Sequence, residues 1–140
     1  MRVAALDLGK VRVGLAISDD LGLLAHPRPA LDAQNRRALL EKIAAFAAEE
    51  ELERLLVGLP LDANGEEGPA AQKCIAFAEQ VAAATGKPVE LWDERFTTVE
   101  ANRRLRAGGR DARSSRGRID SAAACIMLQA WLDGHRERQG

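Results

Sequence analysis

Tyrosine is absent from this 140-residue chain, and the remaining aromatics, Phe46, Phe77, Trp92, Phe96 and Trp131, do not alternate with basic residues in any one stretch. That pattern favours shape or backbone recognition over a dedicated surface for stacking bases and leaves the two tryptophans and most of the phenylalanines as core residues, Phe96 the least so. The two cysteines, Cys74 and Cys125, form neither a close metal-binding pair nor a disulfide framework, so they read as buried thiols in a reducing compartment. The two histidines, His26 beside a proline and His135 near the end, have no ligand spacing with cysteines or acids, which counts against zinc. His135 reads as a solvated tail residue. No apolar run approaches a membrane span, and Met1-Arg2 leads at once into strand-like sequence, so neither a leader nor an anchor is expected and the chain reads as soluble and cytoplasmic. With a net charge of -1, global charge does not coat the protein with nucleic acid, although a local basic face stays open. Ser114 and Ser115 lack the context of a nucleophilic triad.

Hydrophobic residues make up 46% and charged residues 29%, the balance of a globular domain, expected over residues 1–133 with a polar tail over 134–140. The chain is organised around Val3 to Asp19, which reads as an apolar strand, a glycine turn at Gly9 and a second strand running back beside the first. A third short strand is expected at Leu23-Leu24-Ala25, before Pro27 and Pro29 constrain the backbone. Asn35 can cap a helix with a broad apolar stripe of Leu39, Leu40, Ile43, Ala44, Phe46, Ala47 and Leu52. A buried strand at Leu55 to Leu59 is followed by a loop from Leu61 to Pro69, rich in acids and glycine and suited to solvent and motion. A helix over 70–84 ends at Gly86, and Pro88 to Trp92 reads as another strand. Thr97 and Glu100 have capping-box spacing for a helical stretch through Leu105, residues 107–118 read as an exposed connection, and a last apolar helix is expected from about Asp120. This order gives an α/β sandwich on a mixed sheet, antiparallel first and then parallel with crossover helices. A plain dinucleotide-binding domain fits less well, because its glycine fingerprint leads from the first strand into a helix, and here the first glycine turn leads into another strand.

Three acids stand where such a chain could bring them together. Asp7 lies near the end of the first strand, Glu94 follows the last one, and Asp120 begins the final helix. A carboxylate in a buried strand is costly without a compensating charge, and an all-oxygen cluster suits Mg²⁺ or Mn²⁺. Each acid also has a structural reading: Asp7 bonded to turn amides, Glu94 paired with Arg95 or a neighbouring arginine, Asp120 at the positive end of a helix dipole. Between residues 101 and 118, seven arginines face one acid, Asp111, for a local formal charge of +6. Such a patch suits nucleic-acid phosphates, or it is a solvated helix face and loop.

The ordered set Leu6-Asp7-Leu8-Gly9-Lys10-Val11-Arg12-Val13-Gly14, Val57-Gly58-Leu59-Pro60, Asn64-Gly65 with Gly68-Pro69, Asp93-Glu94-Arg95-Phe96-Thr97-Thr98 and Asp120-Ser121-Ala122-Ala123-Ala124 resembles the YqgF family, also described as RuvX-like, over nearly the whole chain. That resemblance implies a ribonuclease H-like fold, a mixed five-stranded sheet with helices on both faces, and a metal-dependent nuclease centre of Asp7, Glu94 and Asp120 holding Mg²⁺ or Mn²⁺. The implied reaction is phosphodiester hydrolysis in maturation of precursor 16S ribosomal RNA, with nucleic acid or a ribosomal particle as partner and a monomer or weak homodimer as the working form. Lys10, Arg95, Arg110, Arg113, Arg116 and Arg118 are the candidate phosphate contacts, and in the connection before Asp120 this chain has Arg110, Arg113, Arg116 and Arg118 where family members often carry a more lysine-rich stretch. Cleavage of Holliday junction DNA is the alternative enzyme. A catalytically idle RNA- or ribosome-binding factor is a non-enzyme reading, and the first hairpin also resembles the phosphate hairpin of ATPases of the actin and sugar-kinase superfamily.

Overall fold

The computed structural model describes residues 2–95 and 116–139, with side chains for 2–95 and 121–135. The described residues form β1 (Val3–Leu8), β2 (Arg12–Ser18), β3 (Ala25–Asp32), α1 (Arg36–Glu49), β4 (Arg54–Leu59), α2 (Pro69–Thr85), β5 (Val89–Asp93) and α3 (Arg116–Gln139). The sheet order is β3-β2-β1-β4-β5. The β1–β2 and β2–β3 pairs are antiparallel, and β1–β4 and β4–β5 are parallel. The turn between β1 and β2 needs Gly9, since a Cβ there would lie 2.7 Å from the carbonyl oxygen of Arg12, whose bond from Gly9 N–H closes the turn at 2.9 Å.

Alternation along the strands assigns each face to its helices. Ala4, Leu6, Val13, Leu15, Leu55 and Val57 pack against Leu39, Ile43 and Ala47 of α1 and Cys74, Phe77 and Val81 of α2. Val3, Ala5, Ala16 and Leu56 pack against Ala124, Met127, Leu128, Trp131 and Leu132 of α3. Asn35 caps α1 by accepting from Ala38 N–H at 3.0 Å, and Gly86 ends α2 in the left-handed conformation at φ 70°. Among the described residues, no helix is long and apolar enough to cross a membrane.

Three expectations are corrected. The third strand runs over Ala25–Asp32 with both prolines inside it, rather than stopping before them. It is an edge strand, and it carries an extra residue opposite Gly14, where the register passes from Val13↔Leu31 to Leu15↔Arg28. Edges and bulges are the places where a missing N–H is tolerated in a sheet. The last helix already runs at Arg116, ahead of the expected start near Asp120, so Arg116, Arg118 and Asp120 all belong to it. That helix also continues to Gln139, across the stretch expected to be a tail, and the ring of His135 stacks on Trp131 with centroids 4.7 Å apart. The expected capping box and helix over 97–105 lie outside the described residues.

Along α3, Ser121, Cys125 and Gln129 recur every fourth residue and bond to the backbone of the β2–β3 hairpin. Cys125 donates to Ala25 O at 3.4 Å, while Gln129 accepts from Ala25 N–H at 2.9 Å and donates to Leu23 O at 3.0 Å. The helix is thus sewn to the edge strand as well as packed on the sheet.

Candidate active site

Asp7 is the next residue after Leu6 on β1 and points, by alternation, to the α3 side of the sheet. Its Cα partner on β2 is Gly14, and the next step of the β1–β4 register sets Gly58 beside it on the other side. Two glycines therefore flank the acid, and at Gly58 the missing side chain leaves space over the sheet.

Glu94 uses that room. Its backbone N–H donates to Leu59 O at 3.1 Å, which extends the β4–β5 ladder by one residue. Because β4 lies between β5 and β1, the Glu94 side chain has to cross a strand to reach Asp7, a span of about two strand spacings, roughly 9–10 Å. It crosses at Gly58, where an added Cβ would collide with Glu94 Oε1. The Asp7 and Glu94 carboxyl groups are close enough to share a proton. Burial first, then the Asp7 charge and that shared bond, push Glu94 up to about 7. Burial also raises Asp7, against the opposing effect of the bond from Glu94.

The turn that aims Glu94 is fixed by its neighbours. Asp93 Oδ1 accepts from Arg95 N–H at 3.0 Å, a side-chain turn that bends the chain out of β5. The Arg95 guanidinium returns to the same carboxylate, Nη2 to Oδ2 at 2.7 Å and Nε to Oδ1 at 3.1 Å, and this bond holds Asp93 below its ordinary range. Arg95 also lies against the loop after β4, its Nη1 3.3 Å from where a Cβ on Gly65 would stand. The loop is largely exposed, as its composition suggests, and carries a defined turn. Asp62 Oδ1 accepts from Asn64 and Glu66 N–H, each at 2.9 Å, and Gly65 takes φ 80°. Arg95 thus pairs with Asp93, rather than with Glu94 as one reading of the sequence had it, and lies against the loop.

Lys10 is exposed at the β1–β2 turn, close in sequence to Asp7. Asp120 lies in α3 on the Asp7 side of the sheet, with its side chain, like those of Arg116 and Arg118, outside the described set. Arg110 and Arg113 lie outside the described residues altogether. Among the described residues no group of three His, Cys, Asp or Glu side chains is placed to hold a metal, so the observed constellation is the Asp7–Glu94 pair. Two oxygen-donor groups confined together, close enough to share a proton, fit a hard dication whose charge would replace the shared proton. Cys74 is buried, and burial followed by the charges of Glu94 and Asp7 pushes its thiol up to about 11, so it stays protonated rather than serving as a nucleophile. Gly58, Asp93 and Ser121 stand in the motifs that carry the resemblance, but sequence reasoning gave none of them a role of its own.

An antiparallel hairpin and edge strand, two parallel strands beyond it, helices on both faces and an acid at the end of the first strand define the ribonuclease H-like class. Two solved structures share the fold: T. thermophilus RuvC in complex with Holliday junction substrate, with a TM-score of 0.60 and 16% identity over 97% of this chain and 96% of that one, and the fowlpox virus Holliday junction resolvase, with a TM-score of 0.58 and 10% identity over 96% and 99%. The family model described as "RuvX: Holliday junction resolvase" matches residues 1–134, and the chain belongs to that family. Its curated relatives include proteins named "Putative pre-16S rRNA nuclease" from Anaeromyxobacter sp. strain Fw109-5, 50% identical over 96% of this chain and 98% of the relative, and from Myxococcus xanthus, 42% identical over 97% and 90%.

Proposed function

We propose that the chain is a nuclease that hydrolyses phosphodiester bonds with Mg²⁺ or Mn²⁺ and matures the precursor of 16S ribosomal RNA in the cytoplasm, as a single domain over residues 1–133. The observation that carries this reading is the confined Asp7–Glu94 pair at the end of β1, in a family whose relatives bear nuclease names. Asp7, Glu94 and Asp120 would hold the ion. A divalent cation in that place supplies a more acidic water and neutralises charge gathering on the phosphate. Asp7 offers an acceptor in a half-buried strand, where its charge is poorly screened, and Glu94 gives up the proton it shares. Lys10, exposed at the hairpin turn, and Arg116 and Arg118, in α3, would neutralise substrate phosphates, with Arg110 and Arg113. Arg95 acts indirectly, by holding the turn that aims Glu94.

Four-way DNA junctions are the second substrate to test, because the family description names a Holliday junction resolvase. Precursor RNA and junction DNA are offered separately to the full chain with Mg²⁺, with Mn²⁺ and with chelator, beside the D7N variant. RNA cleavage that needs the metal and falls by about 10²–10³-fold in D7N is expected, the size of losing one electrostatic element of a catalytic centre. Junction cleavage with RNA left intact would move the assignment to DNA, and equal activity in D7N would reject the site.

A further inference from the structure

Ser121 is wholly buried, and its hydroxyl accepts from Leu15 N–H at 3.2 Å while donating to Arg28 O at 2.5 Å. Leu15 and Arg28 are partners in the β2–β3 register, so the hydroxyl occupies the place of a ladder bond between them. The gap it fills exists because β3 carries its extra residue opposite Gly14, and Gly14 is the Cα partner of Asp7. The helix is therefore tied to the sheet one residue from the partner of the strand acid. Toward the C-terminus, Cys125 and Gln129 tie α3 to Leu23 and Ala25 at the far end of the hairpin, so among the described side chains of α3 Ser121 is the polar tie nearest residue 120. Residue 120 precedes Ser121 directly in the same helix.

We propose that Ser121 is a positioning residue, which clamps α3 to the bulge and so fixes the backbone of Asp120 on the face of the sheet that carries Asp7. The proposal rests on Asp120 belonging to the metal-holding set, and its test separates the two. Mn²⁺ binding by the full chain is measured directly by titration calorimetry, with cleavage of precursor RNA alongside. S121A weakens Mn²⁺ binding by about tenfold, the range seen when a group that orients a ligand is removed, and lowers kcat while KM for RNA holds. S121T keeps the hydroxyl and restores binding. D120N/S121A binds no more weakly than D120N alone, because Ser121 acts through its neighbour. Wild-type Mn²⁺ binding by S121A beside a weakened D120N overturns the proposal and leaves Asp120 in place. Wild-type binding by D120N removes Asp120 from the set and the proposal with it. If S121A fails to fold, S121C decides in its stead, since the thiol keeps the shape but is a weak donor: weaker Mn²⁺ binding than wild type supports the clamp, and unchanged binding overturns it.

Discussion

The two faces of one sheet do different work, and the same strands serve both. Toward α1 and α2, Leu6, Val13, Leu15 and Val57 stay apolar and nearly or fully buried. Toward α3, the alternate positions begin in the same way with Val3, Ala5, Ala16 and Leu56, then give way to Asp7, Gly14 and Gly58. The apolar pattern is interrupted on one face alone, at neighbouring positions on three adjacent strands. Because side chains alternate, a charged site can be built there without removing a single contact from the opposite core. The division teaches that stability and chemistry in this domain are separable by substitution.

The separation is tested most severely at Phe77, which is fully buried between α2 and the sheet on the face away from the acids. F77A is expected to lower unfolding free energy by about 3–5 kcal/mol, the sum of lost transfer energy and an unfilled cavity. A domain of ordinary stability loses a large part of its margin by that change. Below its lowered melting temperature, F77A should still bind Mn²⁺ as the wild type does. Denaturant unfolding and calorimetry on the same sample check both halves, and loss of Mn²⁺ binding in the still-folded variant would break the division between faces.

G58A sharpens it from the other side. The new methyl group would stand in the path by which Glu94 crosses β4, so the carboxylate has to move off Asp7. Cleavage is expected to fall by about 10–100-fold, as for a catalytic group displaced by an ångström. Thermal stability should change little, because Glu94 is the group displaced and its carboxyl end is flexible. Activity assays with melting curves distinguish this outcome from general damage.

What the sequence made legible follows from which forces are local. The first hairpin, the Asn35 cap and the Gly86 stop are written in neighbouring residues, and all three stand where they were expected. Asp7 and Glu94 were singled out because a carboxylate beside a buried strand demands an explanation, and their hydrogen bond supplies part of one. The course of β3 through Pro27 and Pro29 was not legible, since prolines are permitted there by the strand's place at the sheet edge, a property of the whole topology. Gly58 is silent for the same reason: its need arises only once β4 is known to lie between Glu94 and Asp7. The role of Ser121 depends on a register shift between two other strands. That α3 already runs at Arg116 was hidden by a run of Ser, Arg and Gly whose composition reads as a connection.

The smallest expected effect distinguishes the two faces by pH. Below about pH 4.5, Glu94 is protonated in both the folded and unfolded chain and contributes no difference between them. As pH rises toward about 7, the unfolded chain releases this proton first, while the folded chain keeps it next to Asp7. The unfolded state then binds fewer protons, so stability falls across this window and levels off above it. Asp7 is raised too and adds in the same direction. Asp93, whose carboxyl is lowered, acts oppositely and in the acid range, where stability is lost as pH falls. Allowing for solvent screening at this half-buried pair, metal-free protein should lose about 1 kcal/mol between pH 5 and 7.5. E94Q has no proton to release and should flatten that slope while lowering activity, whereas F77A should keep the slope and shift the whole curve downward. Chemical denaturation in chelator across the pH range measures all three. A wild-type slope that persists in E94Q would place the titrating group elsewhere and remove the Asp7–Glu94 pair as its source.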